Sequence, residues 1–282
     1  KDSNGEVFMF RPEENFKRLN ISAKRLSIPE FPKKYFFKAL EVLLNFDKEW
    51  IIPGTGNSLY IRPFVFANQA GVQASPANKY KFLIICTPVK DYYSKNVNVL
   101  IAEKYSRAAN GGVGFAKAAG NYAAQFYPTS LAQKKGYEQI IWTDANNHEY
   151  LEEAGTMNIF FRIGDNLITA PNNDRILDGV TRKSIIDLCK YLKINVEIRP
   201  ISIKELLSAY DNKSLIEIFG SGTAVVILPI KSFNYKNIHY DLRDNKDPQS
   251  ELLKKKIMDI QYNIGEDPFN WRYKVPKLTF SK

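Results

Sequence analysis

The stretch Gly111–Tyr122 reads GGVGFAKAAGNY and places one lysine, Lys117, in a run of small residues. Glycine lets a backbone turn tightly and lets another molecule approach it closely. A lysine amine held among weakly polar neighbours can act as a nucleophile toward a carbonyl group. A glycine-rich surface loop with a solvated lysine is the simpler alternative. The rest of the chain has to decide between the two interpretations.

The glycine spacing excludes two common nucleotide-binding motifs. A P-loop needs Ser or Thr directly after its lysine, whereas Ala118 follows Lys117. The dinucleotide motif GxGxxG is also absent, because Lys117 stands where its last glycine would be. We therefore look for chemistry that uses the lysine amine itself.

The composition is that of an ordinary globular protein of 282 residues, which is long enough for two modest domains. No apolar run approaches the roughly 20 residues that cross a bilayer, and the first residues do not resemble a signal peptide. Cys86 and Cys189 are far apart, and His148 and His239 are isolated, so we expect neither a disulfide nor a metal site. These features predict a cytoplasmic protein without a membrane partner.

A net charge of +10 would suit a nucleic-acid partner, but the lysines are scattered among acidic residues along the chain. Only Lys254–Lys256 forms a dense basic run. It falls in a helical pattern, where a solvated face explains it. We therefore expect no nucleic-acid partner.

The periodicity of apolar residues predicts mixed helices and strands, so the fold class is α/β (α+β). Residues 34–50 have helical spacing, whereas residues 59–67 and 80–87 have the character of strands. We expect a small domain in residues 1–89, a linker rich in Lys, Asn and Tyr in residues 90–98, and a large domain in residues 99–282.

Three further segments can bind an anion: the one with Arg18, residues 179–181 at a predicted helix start, and residues 221–223. Free backbone N–H groups beside a hydroxyl form a phosphate cup. Pyridoxal phosphate needs such a cup, a lysine, and an acid at its ring nitrogen. Lys117 and a carboxylate near glycine, Glu153, supply the last two.

Local patterns also predict how individual elements begin and end. Asp178 or Thr181 is expected to cap the helix that starts near residue 180. Ser202 and Glu205 have the spacing of a capping box. The small residues 220–224 predict a turn between two strand-like runs.

Four consecutive motifs resemble those of the branched-chain amino acid aminotransferases, which are fold-type IV pyridoxal-phosphate enzymes. They read GGVGFAKAAGNYAAQ, EQIIWTDANNHEYLEEAGTMNIF, ILDGVTRKSIIDL and EIFGSGTA. MFRPEENFKRL, SAKRLSIP and SLYIRPFVFA also match, so the resemblance covers almost the whole chain in order. It implies a small α/β domain, a larger domain with a barrel-like sheet, and pyridoxal 5'-phosphate between them. The implied reaction is transamination of leucine, isoleucine and valine with 2-oxoglutarate.

The resemblance assigns catalytic roles to three residues. Lys117 resembles the Schiff-base lysine, which also shuttles the proton during the reaction. Glu153 resembles the carboxylate that pairs with the pyridine nitrogen, and Tyr122 resembles the tyrosine near the phenolic oxygen. Glu152 competes with Glu153 from the sequence alone, but the spacing to residues 155–158 favours Glu153.

The resemblance also implies the binding residues. The phosphate and ring positions match Arg18, Val180, Thr181, Thr223 and Leu177. The substrate positions match Thr156 and Ala224 for the carboxylate, and Tyr60, Arg62 and Tyr92 for the pocket. Val72 is expected to reach a neighbouring subunit's pocket, since this family forms homodimers with shared sites. Tyr60 and Val72 are equally compatible with core or edge positions.

The chain departs from the family pattern at three places. Ala119 precedes Gly120 where the family has two glycines, and residues 225–228 replace a redox CxxC found in some members. The chain also begins at what resembles the middle of the small domain, so we expect an earlier segment. A D-amino acid aminotransferase, an aminodeoxychorismate lyase and a catalytically inactive relative remain as alternatives.

Overall fold

The structure is a computed structural model that describes residues 1–90 and 97–279. By its internal contacts the chain divides into two compact units, Lys1–Tyr92 with Met258–Lys282, and Tyr93–Ile257. Most of the predicted linker, including Tyr92, lies outside the described residues. Val97 and Asn98, which we placed in that linker, already belong to a strand.

Among the described residues, the first unit contains two whole helices, the last turn of a third, and two pairs of strands. In chain order its elements are β1 (Phe8–Phe10), α1 (Pro12–Arg25), α2 (Lys33–Phe46), a 3₁₀ turn (Lys48–Trp50), β2 (Ser58–Ala67) and β3 (Tyr80–Val89). Strands β2 and β3 form an antiparallel pair. Helix α2 buries Phe36, Leu40 and Leu44, whose spacing of four residues forms one apolar face. That face packs against one side of the β2–β3 pair.

The C-terminal residues of the chain group with this first unit, although we assigned them to the large domain. The strand Arg272–Lys274 pairs antiparallel with β1, so that Phe10 lies opposite Arg272. Val275 is buried in the same core as α2. The sequence of a three-residue strand is too short to predict these long-range contacts.

The second unit contains a ten-stranded sheet and most of the helices. Its elements begin with β4 (Val97–Ile101), α3 (Ala119–Lys134), β5 (Gln139–Thr143), β6 (Tyr150–Ala154), β7 (Asn158–Ile163), β8 (Asn166–Thr169) and α4 (Val180–Tyr191). They continue with β9 (Val196–Ile198), β10 (Ile201–Ser202), α5 (Ile203–Asp211), β11 (Leu215–Gly222), β12 (Val226–Tyr235), β13 (Ile238–Asp241) and α6 (Gln249–Gln261), whose residues from Met258 onward belong to the first unit. The strand Arg272–Lys274 of the first unit is β14.

Six strands of this sheet close into a ring, in the order β6, β5, β4, β12, β11 and β7. The ring closes because β6 pairs with β7 as well as with β5. The predicted barrel-like sheet and the mixed fold class are therefore confirmed. The remaining strands extend this ring, with β8 and β9 beyond β7, β10 beside β6, and β13 beside β12.

The core of this unit follows the two-residue period of its strands. In β4, Val97, Val99 and Ile101 are buried in one large apolar cluster, and the alternate residues are only partly buried. Apolar residues of β7, β11 and β12 complete the cluster. None of the helices in the described part of the chain has the length and apolar character needed to cross a membrane.

Candidate active site

Lys117 lies on the loop between β4 and α3, next to the first turn of that helix. Its Nζ donates a hydrogen bond to Tyr122 Oη at 2.8 Å. The glycines of this loop allow close packing: a Cβ on Gly114 would lie 2.7 Å from Arg175 Cα and from Asp174 O. The loop is thereby held against the segment that leads to α4.

Glu153 lies on β6 and is almost completely buried. Its carboxylate accepts hydrogen bonds from Asn158 Nδ2 at 3.1 Å and from Leu177 N at 3.0 Å. Arg107 Nη2 lies 2.9 Å from Glu153 Oε1, and only 5 and 6 % of these two side chains are exposed. Two hydrogen-bond donors and one cation, from three segments of the chain, therefore converge on one carboxylate.

The environment of Glu153 moves its titration toward neutral pH. Burial raises the pKa of the Glu153 carboxyl to about 7, and the nearby Arg107 guanidinium opposes this rise. The charge of Lys117 also lowers the pKa of Glu153, so the two groups are close enough to interact. A buried acid that titrates near neutral pH beside a lysine is typical of a functional site.

Glu152, the competing carboxylate, belongs to a different set of contacts. It pairs with Arg175 rather than with Arg107. Burial raises the pKa of the Glu152 carboxyl, and Arg175 opposes that rise. Successive side chains of a strand point to opposite faces, so only Glu153 shares a face with Asn158.

Helix α4 begins at Val180, and its N-cap residue Gly179 provides no side-chain cap. The predicted caps, Asp178 and Thr181, are both wrong. Asp178 Oδ1 accepts a hydrogen bond from Asn172 Nδ2 at 2.7 Å instead, and Thr181 lies within the first turn. The first N–H groups of α4 lie at the positive end of the helix dipole, and the N-cap residue itself provides no side-chain oxygen for them.

The start of α4 approaches the Glu153 contacts through Asn158. A Cβ on Gly179 would overlap Asn158 Oδ1, so only glycine fits at this position. Leu177, two residues earlier, donates its N–H to Glu153 and offers its carbonyl oxygen to Asn158. One short segment therefore connects the carboxylate to the helix start.

Two turns of the second unit lie side by side. Thr156 lies in the turn between β6 and β7, and Thr223 and Ala224 lie in the turn between β11 and β12. A Cβ on Gly222 would lie 3.3 Å from Thr156 O. Thr156, Thr223 and Ala224 are all exposed. The predicted turn at residues 220–224 is thus present, although Gly220–Gly222 belong to β11.

Ser221 carries a buried hydroxyl beside these turns. It lies opposite Asn158 in the β11–β7 register, so the two side chains share a face. Its Oγ has no hydrogen-bond partner among the described residues. A buried polar atom without a partner is costly, and a bound group that accepted its hydrogen bond would remove the cost.

The other predicted site residues belong to the first unit. Arg18 on α1 donates a hydrogen bond to Asn15 Oδ1 at 3.2 Å. On β2, the Arg62 guanidinium lies 5.1 Å from the centre of the Tyr60 ring. Val72, between β2 and β3, is completely exposed.

The model of the family described as "Amino-transferase class IV" matches residues 2–233 of this chain. The chain belongs to this family. The class IV aminotransferase described here is 43% identical to a probable branched-chain-amino-acid aminotransferase of Staphylococcus epidermidis, over 97% of this chain and 78% of that protein. It is 40% identical to the branched-chain-amino-acid transaminase 1 of Bacillus subtilis, over 98% of this chain and 79% of that one.

A solved structure supports the same membership. The Escherichia coli branched-chain amino acid aminotransferase matches this aminotransferase with a TM-score of 0.80 at 26% identity, covering 98% of this chain and 87% of that one. Enzymes of class IV use pyridoxal 5'-phosphate, and this transferase is one of them.

Sequence reasoning missed several residues of this aminotransferase site. Arg107 and Asn158 both contact Glu153, and Arg175 neutralises Glu152. Arg107 stands four residues before the glycine-rich stretch. The need of any buried carboxylate for a cation was the one signal that pointed to such a residue.

Proposed function

We propose that this aminotransferase transfers the amino group of leucine, isoleucine or valine to 2-oxoglutarate, giving the branched-chain 2-oxo acids and glutamate. The observation that carries this proposal is the set formed by Lys117, Tyr122 and the buried Glu153, held together within one unit. The choice of substrate is supported by curated relatives at 40 to 44% identity that are named for it.

The residues of the second unit fit pyridoxal 5'-phosphate. Lys117 offers an amine, Glu153 a buried carboxylate, and α4 a helix start with no side-chain cap. The unpartnered hydroxyl of Ser221 is a further donor on that side. When bound, the cofactor supplies an electron sink for the bond that breaks at the amino acid Cα.

We assign the proton chemistry to three side chains. Lys117 Nζ binds the cofactor and moves the proton that leaves the substrate Cα. Its small neighbouring residues leave the amine room to reach both the cofactor and that Cα. Tyr122 Oη orients that amine from 2.8 Å. Glu153 faces the ring nitrogen, and its ionised carboxylate, which its two hydrogen bonds and Arg107 favour, keeps a proton on that nitrogen.

Phosphate and ring binding fall to a second group of residues. Val180 and Thr181 present N–H groups at the start of α4, where the helix dipole favours an anion. We also assign phosphate binding to Thr223 and to Arg18, and contact with the face of the ring to Leu177. The proposed position of Leu177 is supported by its N–H contact with Glu153.

We assign substrate binding to a third group of residues. Thr156 and Ala224 hold the amino acid carboxylate, which is supported by the contact between their two turns at Gly222. We assign the pocket to Tyr60, Arg62 and Tyr92. Val72 belongs to a pocket of the second subunit in a homodimer. We also propose a cytoplasmic location, which is supported by the two free cysteines.

The visible absorbance spectrum of the purified protein, before and after addition of L-leucine, tests this function. We expect a cofactor band that changes with L-leucine and is restored by 2-oxoglutarate, with glutamate as the product. A band that responds to D-alanine but not to L-leucine would reassign the enzyme to D-amino acids. A protein that stays colourless with added cofactor would contradict the proposal altogether.

A further inference from the structure

Arg107 connects three separate segments of the second unit. Its Nη2 lies 2.9 Å from Glu153 Oε1 on β6 and 3.0 Å from Gly114 O in the lysine loop. It also donates to the carbonyl oxygen of Arg175, in the segment that leads to α4. The residue itself is only 8% exposed.

A buried guanidinium is expensive unless its donors and its charge are satisfied. Two backbone carbonyls satisfy donors of Arg107, whereas Glu153 satisfies its charge. The position of the guanidinium is therefore fixed from the lysine loop and from the segment before α4. Glu153 meets a cation that cannot move away without breaking both of those contacts.

Several charges act on Glu153. Arg107 and Lys117 favour its ionised form, and Glu152 disfavours it. Arg182, near the start of α4, also interacts with Glu153. Among the described residues, Arg107 is the cation in direct contact with the carboxylate.

We propose that Arg107 is the positioning residue for Glu153: it favours the ionised form of the carboxylate and anchors it to the loop that carries Lys117. The proposal rests on the proposed function only in assigning Glu153 to the ring nitrogen. The contact of Arg107 with Glu153 is independent of that assignment.

The chemistry of the pair explains why the enzyme needs a guanidinium here. A carboxylate in a dry site takes up a proton unless a nearby positive charge prevents it. A neutral Glu153 cannot balance the positive charge of a protonated ring nitrogen. An opposite charge in contact typically lowers a carboxyl pKa by about one to three units, so its loss is measurable.

The first measurement uses the apoprotein and no turnover. The infrared band of the protonated Glu153 carboxyl is identified by its absence in Glu153→Gln and is followed against pH. We expect its midpoint to rise by about one to three pH units in Arg107→Met and to stay near the native value in Arg107→Lys. An unchanged midpoint in Arg107→Met would overturn the proposal.

A matched control removes the neighbouring pair. Arg175→Met deprives Glu152 of its partner but leaves the backbone carbonyl that Arg107 uses. We expect the Glu153 midpoint to stay unchanged in this variant. An equal rise in Arg175→Met and Arg107→Met would mean a general loosening of the site and would also overturn the proposal.

The second measurement reads the ring directly in the holoenzyme, from the ¹⁵N chemical shift of cofactor labelled at the ring nitrogen. We expect a shift toward the unprotonated value in Arg107→Met, with recovery in Arg107→Lys.

If Arg107→Met does not fold, Arg107→Gln and Arg107→Lys replace it in the titration of the apoprotein, and equal Glu153 midpoints in those two variants overturn the proposal. Native activity and ring signal in Glu153→Gln would refute the proposed function, while the apoprotein titration would still decide the role of Arg107.

Discussion

The side-chain amide of Asn158 joins Glu153 to the segment before α4. Its Nδ2 lies 3.1 Å from Glu153 Oε2 and 2.9 Å from Leu177 O. Asn158 is also the residue directly opposite Glu153 in the β6–β7 pair. A residue for which we proposed no role therefore fixes the carboxylate from the neighbouring strand.

Replacing Asn158 by Ala should weaken both the fold and cofactor binding. A hydrogen bond to a charged group contributes about 1.5 to 3 kcal/mol, so we expect a loss of that size in the free energy of unfolding. Urea denaturation of the apoprotein and titration with cofactor measure the two effects. Asn195→Ala, which removes an exposed hydrogen bond to Asn166, is the control and should change neither value markedly.

Lys117→Ala should remove the visible absorbance of covalently bound cofactor and abolish turnover. The fold should persist, because the Lys117 side chain is exposed and lies outside the core. Absorbance, activity and circular dichroism measure these outcomes. Lys135→Ala, an exposed lysine at the end of α3, should behave as the native enzyme. Retained turnover in Lys117→Ala would contradict the assignment of Lys117 as the cofactor-binding residue.

Glu153→Gln should lower kcat by about 10²-fold or more, because a neutral amide cannot balance charge at the ring nitrogen. Glu152→Gln should have a much smaller effect, since Glu152 pairs with Arg175. Steady-state kinetics of both variants with L-leucine test the difference. The reverse order of effects would transfer the assignment to Glu152.

The stability of the apoprotein should depend on pH through Glu153. Its pKa in the folded protein is about 7, against 4.5 for an unperturbed glutamate, so the unfolded chain loses this proton first as the pH rises. The stability that the proton contributes is complete below pH 4.5 and is lost as the pH rises through 7, by about 3 kcal/mol. Urea denaturation between these pH values should show a smaller decline in Glu153→Gln. Parallel curves for the two proteins would rule out the raised pKa.

Gly179→Ala should weaken cofactor binding at least about tenfold, because its Cβ would overlap Asn158 Oδ1 and displace the start of α4. Gly120→Ala is the matched control. A Cβ on Gly120 meets nothing within 4 Å, so this variant should be neutral or slightly more stable. Titration with cofactor and thermal denaturation distinguish the two. Equal affinities would show that the helix start tolerates the displacement.

Features that depend on neighbouring residues could be predicted from the sequence. Ser202 Oγ accepts a hydrogen bond from Glu205 N at 3.0 Å, so the predicted capping box is confirmed in its main contact. The strands at residues 59–67 and 80–87 are present as β2 and β3, with bounds that differ by one or two residues. In both cases the signal, the cap spacing or the alternation of apolar residues, is local in sequence.

Features that depend on the folded arrangement could not be predicted. The predicted cap of α4 is wrong because Asp178 bonds to Asn172, six residues earlier, a contact that the pattern of the sequence does not show. Arg107 was missed because it lies in the loop after β4, far in sequence from its partner Glu153 on β6. Burial created the need for that partner, and burial is a property of the folded chain alone.

The pairing of Glu153 with Asn158 also closes the ring of six strands. A slip of β6 by one residue would turn every side chain of that strand to the opposite face. Glu152 would then replace Glu153 beside Lys117, and Arg107 and Arg175 would each face the wrong acid. A misaligned β6–β7 pair would therefore give a closed barrel with the wrong carboxylate at the cofactor. Correct assembly of the sheet and the correct charge at the cofactor thus depend on the same two residues.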